Sequence, residues 1–186
     1  MADEPPLEEA INLSLEGIKK GFAVVGQAEE MEYHLRCLIA YVGEKKGDVS
    51  PNGDFIKRVN EVRKSGLDVA IDMGLGDLER YADSFGARAV DSYLPKILDL
   101  AEAVQFYDSL GIKADKNLIE ETKRICTTAY QKAIPEELKT AAGYALQGKP
   151  GEMEMCLTLA QRYASRVGME ITEQVKEVQA LIPKSP

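Results

Sequence analysis

His34 is the one histidine of this chain, and it lies in the stretch EEMEYHLRC with Glu30 four residues before it and Cys37 three residues after it. On a helix those spacings share a face. Three chemistries would use them: an acid–base pair, half of a metal site, or a thiol activated by imidazole. Each needs more than the sequence supplies. A di-iron bundle site takes two Glu-x-x-His motifs, and here there is a single His with Met31 at i−3. His34 also flanks an apolar stripe of Met31, Leu35 and Leu38, and Cys37 falls beside it. Both are read as structural residues at the edge of a packed helix face.

Other candidates are weaker in pattern. The stretch MGLGDLE, residues 73–79, places two glycines before an acidic helix start. A phosphate cradle wants a Lys and open amides, whereas Asp77 would repel the phosphate, so the segment reads as a helix break. Asp72, Asp77 and Glu79 form one carboxylate group and Asp99 with Glu102 another. Exposed helix faces and caps look the same, so neither group is selected. The eight tyrosines (33, 41, 81, 93, 107, 130, 144 and 163) fall mostly at stripe edges, where an amphipathic ring bridges core and solvent. No residue is therefore assigned a catalytic, cofactor-binding or metal-ligating role, and no cofactor is expected.

Charge narrows the partners. The net charge is −8, and residues 1–32 hold eight acids against Lys19 and Lys20. An acidic chain without a Lys/Arg run repels phosphate backbones, so nucleic acid is excluded as a partner. The acidic start reads as a solvated helix face, with a docking surface for a basic partner as the sharper alternative. Cys37, Cys126 and Cys156 are odd in number and stand 89 and 30 residues apart, which suits neither a disulfide framework nor a zinc site. Each lies in an apolar helical pattern, as a small hydrophobe would, and a reducing cytoplasm fits. MADEPPLEEA has neither the basic region nor the apolar run of a signal peptide, and no membrane span is expected.

The elements that would hold these residues have a period of 3.6. Ile11, Leu15, Ile18, Phe22 and Val25 mark a first helix after Pro5 and Pro6, and Ala28, Met31, Leu35, Leu38 and Val42 a second. A third carries Phe55, Ile56, Val59, Val62, Ala70 and Met73, with Gly66 bending or dividing it and a break at Gly74 and Gly76. A short helix bears Leu78, Tyr81, Ala82 and Phe85, and a longer one Val90, Leu94, Ile97, Ala101 and Val104. Leu118, Ile119, Ile125, Ala129 and Ala133 follow, and Pro135 with Glu136 and Glu137 marks a new start. The cleanest stripe is Met153, Cys156, Leu157, Ala160, Tyr163/Ala164 and Val167; Val175, Val178 and Ile182 close the chain.

One passage recurs. LAEAVQFYDSLGIKADKNL at 100–118 is echoed 57 residues later by LTLAQRYASRVGMEITEQV. In each, a helix stops at a glycine (Gly111, Gly168), an apolar residue (Ile112, Met169) can fold back on it, and Asp115 or Thr172 stands ready to cap the next helix. Gly47–Val49–Ser50 follows the same logic, and Gly86 with Asp91 follows it more loosely. These are corners of antiparallel αα-hairpins. The helix pairs around 90–133 and 151–182 are candidates for a duplication. The hairpins are similar in outline to tetratricopeptide-type solenoids, yet the chain lacks a Trp and the fixed period of about 34 residues. It is assigned to no family.

The expected fold is all-α: eight to ten helices as antiparallel hairpins in an irregular helical bundle or short α-solenoid. Residues 1–186 are read as a single domain, with a soft boundary near 74–76. The expected function is a cytoplasmic protein-interaction or scaffold module that binds a peptide, a helix or another copy of itself. The alternative is an enzyme or small-ligand-binding protein with an interhelical pocket that uses carboxylates and Tyr hydroxyls.

Overall fold

Apolar stripes at helical spacing do wind into helices. The computed structural model describes residues 7–25, 28–46 and 53–183, and every regular element among them is an α-helix. They are α1 (Leu7–Val25), α2 (Ala28–Lys46), α3 (Gly53–Phe85), α4 (Ala87–Ser109), α5 (Leu118–Leu146), α6 (Pro150–Val167) and α7 (Thr172–Gln179). Pro5, Pro6, the Gly47–Pro51 corner and the side chains of Phe22, Val25 and Lys46 lie outside the described residues. Among the described residues no helix is long and apolar enough to cross a membrane.

Seven helices among the described residues replace the expected eight to ten, because three expected breaks are continuous helix. Gly66, Gly74 and Gly76 all lie within the 33 residues of α3. The buried residues Phe55, Val59, Val62, Leu67, Ile71, Leu75 and Leu78 run through them without losing phase. Burying such a stripe outweighs a helix cost of about 1 kcal/mol per glycine. Pro135 lies inside α5. It removes one backbone bond, but Gln131, whose carbonyl loses its partner, is exposed to water. On either side, Ile134 and Ala141 are anchored in the core.

Two of those glycines have a packing reason. A Cβ at Gly66 would overlap Met31 Sδ and come within 2.6 Å of its Cε, so α2 and α3 touch where only a hydrogen fits. A Cβ at Gly74 would lie 2.9 Å from Leu100 Cδ2 on α4. Gly76 faces open space.

The chain divides into two compact units, Met1–Gly76 with Pro95–Ile119, and Asp77–Leu94 with Glu120–Pro186. The divisions fall inside α3, α4 and α5. In unit 1, α1 packs on α2, and the core holds Ile11, Leu15, Met31, Leu35, Val42, Phe55, Val59, Leu67 and Ile71. Arg58 on α3 ties back to α1 through Asn12 and Glu8. In unit 2 the expected α6 stripe of Met153, Cys156, Leu157, Ala160, Tyr163 and Ala164 is buried, as are Ile125, Ala129, Tyr130 and Ile134 of α5 and Val175 and Val178 of α7, and Tyr163 stacks on Tyr130.

The corners form as expected at their stops and differently at their starts. Gly111 and Gly168 have φ of 77° and 67°. Ile112 N–H donates to the Tyr107 carbonyl and Met169 N–H to the Ala164 carbonyl, both at 2.9 Å, the six-residue closure of a Schellman motif. Gly148, which the sequence reading passed over, closes α5 in the same way through Lys149 N–H and the Tyr144 carbonyl. The clasp holds at Ile112, which is buried, and not at Met169, which is exposed. The expected caps are corrected. Asp115 stands before Leu118, the first residue of α5, and pairs with Lys64. Thr172 is already the first residue of α7. Asp91 lies within α4 and pairs with Arg162 and Arg166. Further corrections concern burial. Ile56, Met73, Phe85, Ile119 and Ile182 are exposed, as is Cys37 among the free cysteines. Their stripe positions fall on the outer flank of each helix.

The glycine contacts predict opposite signs for one substitution at two sites. G66A forces the buried Met31 to move and should lower unfolding free energy by about 1–2 kcal/mol. G76A meets nothing and should raise it by about 0.5–1 kcal/mol. Urea denaturation followed by circular dichroism distinguishes them, and equal effects would refute the close packing of Met31 on α3.

Candidate functional site

Glu32 is the one charged side chain buried among the described residues. It follows Met31 on α2 and lies three residues before Leu35, so it points from the edge of the apolar stripe toward the neighbouring helices. A buried carboxylate needs a compensating charge. Arg63 of α3 supplies it in fork geometry, with Nε 3.0 Å from one carboxylate oxygen and Nη2 2.8 Å from the other. Arg63 is itself steadied by Asn60 Oδ1 at 3.1 Å. Arg36, one turn on along α2, adds a longer contact of 3.4 Å. From α4 the Tyr107 hydroxyl reaches both Glu32 and the Ala28 carbonyl at 3.4 Å.

These contacts determine the chemistry open to Glu32. Burial pushes its carboxyl up, but the hydrogen bonds and charges of Arg63, followed by those of Arg36, outweigh burial and hold it below the usual carboxylate range. A general base works best with a pKa near the operating pH, so Glu32 is displaced away from that role. Burial first, and then the Glu32 charge, pushes the Tyr107 phenol well above its ordinary value. Both groups hold their protonation states at neutral pH.

Over this cluster lies a cavity of about 570 Å³ between α2 and α4. Glu29, Glu32, Tyr33 and Arg36 line it from α2, and Asp99, Glu102, Phe106 and Tyr107 from α4. Four carboxylates thus face one guanidinium. Glu32 is spoken for by Arg63 and Arg36. Glu29, Asp99 and Glu102 make no ion pair among the described residues. Tyr33 is 66% exposed and Phe106 44%, so both rings of this hollow face solvent. No family model, curated protein or solved structure matches this chain.

Of the residues singled out in the sequence, Asp99 and Glu102 are brought together here, joined by Tyr33 and Tyr107. The others are not. His34 is exposed, its ring edge-on to Tyr33 at 5.6 Å. No group of three His, Cys, Asp or Glu side chains that could hold a metal occurs among the described residues. Asp72 pairs with Lys116, Asp77 with Arg80 and the Tyr93 hydroxyl, and Glu79 with Arg124. Burial, aided by Asp77, pushes the Tyr93 phenol up to about 12. The glycines of residues 73–79 are helical and offer no turn for a phosphate. Glu32 and Arg63 escaped the sequence reading, since nothing links residues 31 positions apart until α2 and α3 pack. The one signal was an acid three residues before Leu35, in the register of the stripe.

E32A would strand Arg63, which is largely buried, and should cost about 3–5 kcal/mol of unfolding free energy. Because the folded carboxyl titrates below its ordinary 4.5, its contribution is complete above that value and disappears as pH falls through the lower, folded one. Urea midpoints measured across acid pH should therefore fall more steeply for the wild type than for E32Q. Parallel curves would show that the pair contributes no stability.

Proposed function

We propose that this chain is a protein-interaction module whose groove between α2 and α4 takes a basic segment of a partner protein. The observation that supports this reading is the pairing of two exposed aromatic rings, Tyr33 and Phe106, with three unpaired carboxylates, Glu29, Asp99 and Glu102, in one hollow. An Arg or Lys side chain satisfies both features. Its charge answers the carboxylates, and its stem or guanidinium plane lies over a ring, a contact worth about 0.5–1 kcal/mol at an exposed site. The locked Glu32–Arg63 pair gives the groove a floor that does not compete for the incoming cation.

A second copy of this chain fits the groove less well, since its net charge of −8 would bring acid toward acid. In this reading the helices of unit 1 act as antiparallel hairpins that frame the groove, as in a bundle or short solenoid. The exposed Cys37 thiol, on the same helix as Tyr33, suits a reducing cytoplasm.

The test is titration of an amphipathic Lys/Leu peptide into the full chain, followed by NMR of the Tyr33 and Phe106 rings. Saturable shifts that weaken as salt is raised are expected. D99N and E102Q should each weaken binding by about 2–5-fold, and F106A by about tenfold. Equal binding of a Glu/Leu peptide, or shifts that ignore all three substitutions, would defeat the proposal. Self-association in preference to peptide binding would assign the groove to a second copy.

A further inference from the structure

α3 changes partners at one place along its length. Up to Asp72 its acids hold unit 1: Asp68 accepts the Asp115 backbone N–H at 2.7 Å, and Asp72 pairs with Lys116 at 2.5 Å. From Asp77 onward they hold unit 2: Asp77 accepts from the Tyr93 hydroxyl at 3.1 Å, and Glu79 pairs with Arg124 at 3.4 Å. Between the two sets stand Gly74 and Gly76, and unit 1 ends on α3 at Gly76. Gly74 is explained by its contact with Leu100, but a Cβ at Gly76 would meet nothing within 4 Å. Gly76 therefore carries the helix cost of glycine with no packing contact in return.

α4 is weakened at the matching place. The chain divides there between Leu94 and Pro95, and Pro95 lies inside the helix. It has no N–H, so the Asp91 carbonyl loses its helical partner, and the exposed ring adds nothing to the core. The two weakened turns are neighbours, since a Cβ at Gly74 would lie 3.7 Å from Cδ1 of Ile97, two residues after Pro95. The third division, after Ile119, follows directly on the irregular segment 110–117 between α4 and α5. Sharp bends in helices occur at proline and glycine. Here one of each falls where the helix passes from one core to the other.

We infer that Gly76 and Pro95 form a hinge about which units 1 and 2 reorient as two bodies, each keeping its own core. This inference does not depend on the groove reading, because the residues that line the groove all belong to unit 1.

Amide hydrogen exchange, which reports local opening, is measured on the full chain and on the G76A/P95A double variant. In the wild type the amides of residues 77–80, which bond to the carbonyls of residues 73–76, should exchange at least about tenfold faster than those of residues 67–71. The double variant should slow them by at least about tenfold relative to the amides of Leu35 and Leu157, one in each core. Spin labels on the exposed native Cys37 of unit 1 and on M155C, exposed in unit 2, are then read in a C126S background. The wild-type distance distribution should be broad and should narrow in the double variant. Three outcomes overturn the hinge: residues 77–80 protected as well as 67–71, a slowing that is uniform along the chain, or a wild-type distribution already as narrow as that of the double variant. A uniform slowing would show that the two residues affect global stability alone.

Discussion

One buried charge organises unit 1. Glu32 lies where α2, α3 and α4 converge, and each helix answers it with a different group: Arg36, Arg63 and Tyr107. An apolar contact tolerates small shifts in register, whereas a carboxylate held in a guanidinium fork does not, since misplacing it by one residue would leave two charges buried without partners. The Tyr107 hydroxyl also reaches the Ala28 carbonyl, so the first turn of α2 and the last turns of α4 are tied at the same point. Hydrophobic burial supplies the drive to pack these helices, and the ion pair selects which faces meet.

The glycine at position 66 works with that ion pair. It lets Met31, the residue before Glu32, lie against the backbone of α3 only three residues from Arg63. Close approach and charge pairing thus occur side by side on the same two helices. That arrangement also explains why a 33-residue helix carries a glycine well inside it. The conformational cost of glycine in a helix is about 1 kcal/mol, and here it is offset by apolar contact that a β-carbon would prevent.

Legibility in the sequence follows the range of the interaction. The stripes of α2 and α6 were readable residue by residue, because 3.6 periodicity is local. So were the helix stops at Gly111 and Gly168, since a left-handed residue followed by an apolar one is a local device. The misreadings came from giving local punctuation more weight than the stripe it interrupts. Gly74, Gly76 and Pro135 are strong breakers in isolation, yet buried side chains on both sides keep α3 and α5 in phase through them. Asp115 and Thr172 look like caps by spacing, but tertiary packing gave Asp115 a lysine and began α7 one residue early. The groove is half visible in the sequence: Asp99 and Glu102 stand out as a carboxylate pair, while Tyr33 and Phe106 acquire meaning only once α2 and α4 face each other.

The two units answer buried polarity with different groups. In unit 1 the buried charge is fully answered by protein, so its partners face inward and the acids left over are those on the rim. On the proposed reading that rim is what a basic segment would meet, gaining from charge and aromatic contact without displacing any internal bond. In unit 2 Asp91 is saturated by Tyr130, Arg162 and Arg166, and the buried hydroxyl of Tyr163 is met by Arg88. The stacked rings of Tyr130 and Tyr163 therefore turn their hydroxyls to different partners, a carboxylate at Asp91 and a guanidinium at Arg88, and so tie α6 and α5 to the start of α4 through polar groups that a Phe at either position would lack.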